Sequence, residues 1–163
     1  MGSFTVTDSR TSSSPPQYFP LTSIQILPRN HLVMIFSVPV VLEDDGGATA
    51  CAVNTSCLAL VDSGFPMKCL FAAVTCAVLN DGKENISIVA VDPDSVRLRR
   101  AADVEACVTF VFESRNKDIL ATHVTGKCTE EKFQECLSAS KTASDKIFHF
   151  YREVVERKFS KDD

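Results

Sequence analysis

The sequence predicts an α+β domain, with helices packed on one side of a mainly antiparallel sheet. Three observations carry this expectation. Strand-like stretches come first, then a helical pattern over 47–62, then four more strand-like stretches and a helical pattern over 129–158. Turn signals join the four later strands into two antiparallel pairs. The chain has 163 residues, 45% apolar and 23% charged, which is enough for one domain with a real core.

Residues 1–20 are rich in Ser, Thr and Pro and have little periodicity, so they read as a flexible arm ahead of a domain over 21–163. A strand follows at about 22–28 and a turn at Pro28-Arg29-Asn30. The stretch 31–44 is rich in β-branched residues and reads as a buried strand in which Pro39 forces an edge position or a bulge. In 47–62 the apolar positions 50, 53, 57, 60 and 61 recur at spacings of three and four, the period of a helix. Gly64 stops that helix and Pro66 prevents re-entry. Residues 69–79 suit strand or helix alone. The turn signal Asn80-Asp81-Gly82-Lys83 and the clear strand at 85–92 make them the first arm of a hairpin. Residues 92–105 form a polar connection, and 106–114 with 118–126 form a second pair around Arg115-Asn116-Lys117. Thr129 is the expected N-cap of the last helix, with Glu130 and Glu131 in the first turn, where the helix dipole favours acids. Phe133, Leu137, Ala143, Ile147, Phe150 and Val154 are its expected buried stripe.

The net charge is −4, so any nucleic-acid contact has to come from a local patch. Seven cysteines, at 51, 57, 69, 76, 107, 128 and 136, include no CxxC, which supports neither a zinc ribbon nor a thioredoxin-type motif. They read as buried reduced thiols of a cytosolic or nuclear protein. Asn54-Thr55-Ser56 and Asn85-Ile86-Ser87 fit the glycosylation pattern by chance, since no signal peptide is evident. The longest apolar run, 32–42, is too short to cross a bilayer as a helix, so no membrane partner is expected. His31, His123 and His149 have no metal-ligand spacing and read as surface residues.

Residues 50–68, ACAVNTSCLALVDSGFPMK, resemble the Ala-rich helix of RNase PH-family proteins. Residues 71–93 share that family's strand–turn–strand–Asp layout, and 143–161 are similar to the C-terminal helix of non-catalytic RNase PH-like subunits of the eukaryotic RNA exosome ring. The resemblance covers about 22–161. It implies a duplicated α+β fold related to the second domain of ribosomal protein S5. This chain matches mainly the second unit, so an N-terminally incomplete domain from a shortened isoform or gene model is expected.

The resemblance also locates the chemistry. Active members cleave RNA from its 3′ end with inorganic phosphate, held at a Gly-Gly-Thr-Arg helix start. The matching residues here are Gly46, Gly47, Ala48 and Thr49. The glycines and helix dipole remain, the hydroxyl and guanidinium do not, and Asp44 and Asp45 upstream repel phosphate. The stretch is read as a degenerate phosphate site kept as a helix start. The family's second constellation is a carboxylate cluster that acts as general acid and, in some members, as metal ligand. Asp92 matches its first Asp, but Arg97 and Leu98 stand where the Glu-Asp pair belongs. No catalytic residue, metal or cofactor is therefore expected.

Arg97, Arg99 and Arg100 make a basic loop, either solvated or in contact with the RNA backbone. The implied function is that of a non-catalytic structural subunit of the exosome ring. Its implied partners are other ring subunits, through a heterodimer with a PH-like partner inside a hexameric ring, and RNA weakly. The implied location is nucleus, nucleolus and cytoplasm. The competing readings are a self-associating nuclease with a different constellation and a truncated isoform without a ring role.

Overall fold

A computed structural model describes residues 17–18, 21–26, 33–37, 39–42, 45–80, 87–94 and 103–160. In chain order the elements are β1 (Gln17–Tyr18), β2 (Leu21–Ile26), β3 (Val33–Ser37), β4 (Val40–Val41), α1 (Ala48–Asp62), β5 (Phe71–Asn80), β6 (Ser87–Val91), β7 (Asp103–Glu113), β8 (Ile119–Gly126) and α2 (Glu130–Phe159). The main sheet has the order β6-β5-β7-β8 and is antiparallel throughout, as the hairpin signals predict. Two small antiparallel ladders, β1 with β4 and β2 with β3, precede it.

One expectation needs correcting. The single strand over 31–44 is two, β3 and β4, with Pro39 between them. Proline has no N–H to give a ladder, so pairing stops and resumes with a different partner strand. Of the expected arm, residues 17–18 form β1, and the remainder lies outside the described residues, as do the 28–30 turn and residues 95–102.

Strand β5 lies at the centre of the main sheet, between β6 and β7. Residues 72–78 are buried without interruption, so the strand carries an unbroken run of small and apolar residues instead of an alternation. Val74, Cys76 and Val78 face the same way as Ala106, Val108, Phe110 and Phe112 of β7, and α2 covers them with Phe133, Cys136, Leu137, Ala143 and Ile147. Thr129 caps α2, its hydroxyl accepting from the Lys132 N–H at 3.4 Å.

The buried face of α2 is rotated from the expected stripe. Cys136, Ser140, Ser144, Phe148 and Tyr151 are buried, whereas Phe150 is 47% exposed. Three small residues at a spacing of four let the helix axis approach the sheet closely, which sets which side faces inward. Their polar atoms are satisfied. Ser140 Oγ lies 3.0 Å from Cys76 Sγ, and Ser144 Oγ donates to the Lys141 carbonyl at 2.8 Å. At the β7–β8 turn, Lys117 sits at φ +61°, pairs with Asp145 and places its ammonium 4.3 Å from the Phe148 ring centre, tying the turn to α2.

Candidate functional site

Helix α1 begins at two consecutive left-handed residues, Gly46 at φ +100° and Gly47 at φ +67°. Gly47 is the N-cap, and its carbonyl accepts from the Cys51 N–H at 3.0 Å. It has no side chain to cap the helix, and the first turn holds no acid. The missing acid comes from elsewhere in the chain. Asp92, just past β6, is fixed at φ +50° by a 2.8 Å hydrogen bond from its N–H to the Thr75 carbonyl. Its Oδ1 lies 3.1 Å from the position a Cβ on Gly47 would take.

The fold thus brings together residues 45 apart, the glycine pair and Asp92, the carboxylate expected from the resemblance to match the family cluster. The positive φ favours glycine at position 47, and a Cβ there would press on the Asp92 carboxylate. Of the residues expected at the degenerate phosphate site, Gly46, Gly47 and Ala48 are half-buried and Thr49 is exposed. The next basic side chain along the sequence is Lys68, beyond the far end of α1. A carboxylate beside a helix start is electrostatically favourable, but the guanidinium that would grip phosphate in two places is not in the sequence at this turn. Arg97, Leu98, Arg99, Arg100 and Asp44 lie outside the described residues, as does His31.

A second cluster, at the middle of α1, was not anticipated from sequence. The first half of β5 extends beyond its ladder with β6, which begins at Cys76. The Asn54 side chain takes the place of a strand there. Its Oδ1 accepts from the Ala73 N–H at 2.7 Å, and its Nδ2 donates to the Ala73 carbonyl at 3.0 Å. Beside it, the Phe71 N–H reaches Cys57 Sγ at 3.5 Å. The Tyr151 hydroxyl of α2 lies 3.1 Å from Asn54 Oδ1 and 3.4 Å from the Phe71 carbonyl. Around this network Cys57, Leu58, Ala72, Phe148 and Tyr151 form a second core cluster. Asn54 is half-buried and hydrogen-bonded in the fold, so the glycosylation match is chance, as expected.

Burial pushes the Cys57 thiol up to about 11 and the Cys136 thiol up to about 12, and it raises Tyr151 and Cys76 as well. Such thiols are neutral and poorly nucleophilic at neutral pH. All seven cysteines are unpaired thiols, but only Cys57, Cys76 and Cys136 are buried; Cys69, Cys107 and Cys128 are half-buried and Cys51 is exposed, contrary to the expectation of burial. Among the described residues no three His, Cys, Asp or Glu gather to hold a metal. His123 is exposed on β8 and His149 is exposed on α2 beside Glu153, as expected of surface residues.

No family model matches the chain. Individual relatives do. The chain is 28% identical over 133 residues to the rice exosome complex exonuclease RRP46 homolog, covering 72% of this chain and 52% of the relative. It is 29% identical over 138 residues to the exosome complex component Rrp41 of Archaeoglobus fulgidus, covering 83% and 49%. The crystal structure of rice Rrp46 superposes with a TM-score of 0.66 at 28% identity, over 81% of this chain and 59% of that one. The chain has the RNase PH-like fold. Cell-death-related nuclease 5 of C. elegans is a further structural neighbour, with a TM-score of 0.63 at 26% identity, over 77% of this chain and 65% of that one. The chain spans roughly half to two-thirds the length of these relatives.

Proposed function

We propose that the protein is a non-catalytic structural subunit of the RNA exosome core ring, supporting 3′-to-5′ RNA processing and degradation by subunit packing and sequence-independent RNA contact. The observation that carries this reading is the α1 start. The family's glycine turn is kept, yet Ala48 and Thr49 replace the phosphate-gripping residues, and Asp92 lies against Gly47. The names of the relatives as exosome components support the choice of assembly. On this reading the partners are the other ring subunits, including a PH-like neighbour, and the protein works in nucleus, nucleolus and cytoplasm.

Co-purification from cells with quantified stoichiometry tests the reading. Ring subunits at equal ratio are expected, and recovery without any of them contradicts it. Arg97, Arg99 and Arg100 are the proposed RNA contacts. Replacing all three with Ala in the assembled ring should flatten the dependence of RNA affinity on salt, by about 0.7 log units per lost contact. An unchanged slope removes these three residues as RNA contacts.

A second reading is favoured by the words "exonuclease" and "nuclease" in two relatives' names. On it the chain is a self-associating nuclease that uses residues outside the family constellation. Release of nucleotides from RNA by the purified chain separates the two.

A further inference from the structure

The turn between β7 and β8 runs over residues 114–117 and is closed by the Glu113 N–H, which donates to the Asp118 carbonyl at 3.0 Å. The last residue of the turn, Lys117, sits at φ +61°, in the left-handed region. A side chain is disfavoured there, and glycine or asparagine is the usual occupant. The turn backbone therefore does not call for a lysine. The contacts of the side chain do. The Lys117 ammonium pairs with Asp145 of α2 and lies 4.3 Å from the centre of the Phe148 ring. Residues three apart on a helix are neighbours on its surface, so one cation meets a carboxylate and an aromatic face together.

Phe148 is a firm anchor. It is 5% exposed and meets the Tyr151 ring edge-on at 6.0 Å. The Tyr151 hydroxyl in turn lies 3.1 Å from Asn54 Oδ1. Strand β8 has less to hold it. All eight of its residues are exposed, and among the described residues it pairs with β7 alone. A register shift interrupts that pairing between Ile119 and Ala121, just past the turn.

We infer that Lys117 is an electrostatic latch. Its charge, held between Asp145 and Phe148, keeps the turn half of β8 closed on β7. Loss of that charge lets this end of the strand open locally while the rest of the fold stays intact. Strain in the backbone persists where surrounding contacts over-determine it, and the left-handed lysine is such a case. Local opening has its own free energy, separate from global unfolding. The latch thus sets how ordered the exposed strand is before anything meets it, and it acts in the chain alone, whether or not that chain joins a ring.

Amide hydrogen exchange on the full chain, followed by NMR, tests the latch. The Lys127 N–H bonds the Glu105 carbonyl at 2.9 Å, and bonded pairs alternate from there along an antiparallel ladder. The amides of Thr125, His123 and Ala121 therefore face β7, while those of Gly126, Val124 and Thr122 point outward. Lys117→Met keeps an unbranched side chain and drops the charge. It should speed exchange at Ala121 by at least about tenfold, at His123 by less, and at Thr125 not at all. Lys117→Gly relieves the left-handed strain and should still speed Ala121. Lys117→Arg should keep it slow. Lys132→Met, which breaks an ion pair with Glu135 inside α2, should leave β8 unchanged. Circular dichroism checks that each variant is folded. Slow exchange at Ala121 in folded Lys117→Met overturns the inference, because the turn then stays shut without the charge. Equal acceleration at Ala121, Thr125 and the amides of β5 also overturns it, since Lys117 would then add only to global stability. So does wild-type exchange in Lys117→Gly, which would show that the contact holds nothing the turn backbone does not hold by itself.

Discussion

Among the described residues, the protein treats two open stretches of the main sheet differently. Along the first half of β5, beyond the reach of β6, side chains from two helices meet the backbone. Asn54 takes both polar groups of Ala73, Cys57 meets the Phe71 N–H and Tyr151 meets its carbonyl. Along β8 the outward groups of Thr122, Val124 and Gly126 meet no such side chain among the described residues. The difference separates structural from interactive surface. A buried amide left unbonded costs free energy, so the edge inside the core has to be closed by the chain itself. An edge in water can stay open until another chain arrives. The first should therefore govern stability and the second association.

The largest effect is expected at the closed edge. Asn54→Ala leaves the Ala73 amide and carbonyl without partners and should cost about 2–4 kcal/mol in urea unfolding. A cost near zero would show that the β5 edge does not need its helix. Alkaline pH comes next. A thiol whose folded pKa is raised stays neutral in the native state, while the unfolded chain ionises from about pH 9. Stability from Cys57 is thus complete below that point and is lost as pH rises towards about 11. The loss should reach about 2 kcal/mol, and Cys57→Ala should lessen the fall with pH, whatever it does to stability at neutral pH. Tyr151→Phe keeps the ring and removes one hydroxyl, so about 1 kcal/mol is expected. At the open edge, Val124→Lys should change the stability of the monomer by no more than about 0.5 kcal/mol. A larger change would mean that β8 is closed by something in its own chain.

Much of this fold is legible in the sequence because its signals are local. The turn after Asn80 makes a strand of the ambiguous stretch before it, and Thr129 with two acids announces α2. The buried face of α2 is less legible. Ser140 and Ser144 look like solvent residues until a sheet approaches closely enough to bury them, and the residue that meets Ser140 there, Cys76, is far away in the chain. Asn54 likewise looks like an ordinary helix residue, since its task arises only because β6 is shorter than β5. At the α1 corner, the sequence puts Ala48 and Thr49 where the resemblance implies a hydroxyl and a guanidinium. It does not show that Asp92 reaches Gly47, because that contact requires β6 to end beside the start of α1. The comparison with β8 was hidden for a similar reason. Which backbone groups point outward depends on register, and register is set by pairing, not by the strand's own residues.

The central claim, that the α1 corner is a phosphate site emptied of its chemistry, is tested most directly with purified protein, single-stranded RNA, inorganic phosphate and magnesium. Nucleoside diphosphates are the product to follow, since only phosphorolysis releases them. No release above a buffer control is expected. Phosphate-dependent release that Asp92→Asn abolishes would contradict the claim, for Asp92 would then be acting at a working site and Ala48 and Thr49 would not have disabled it.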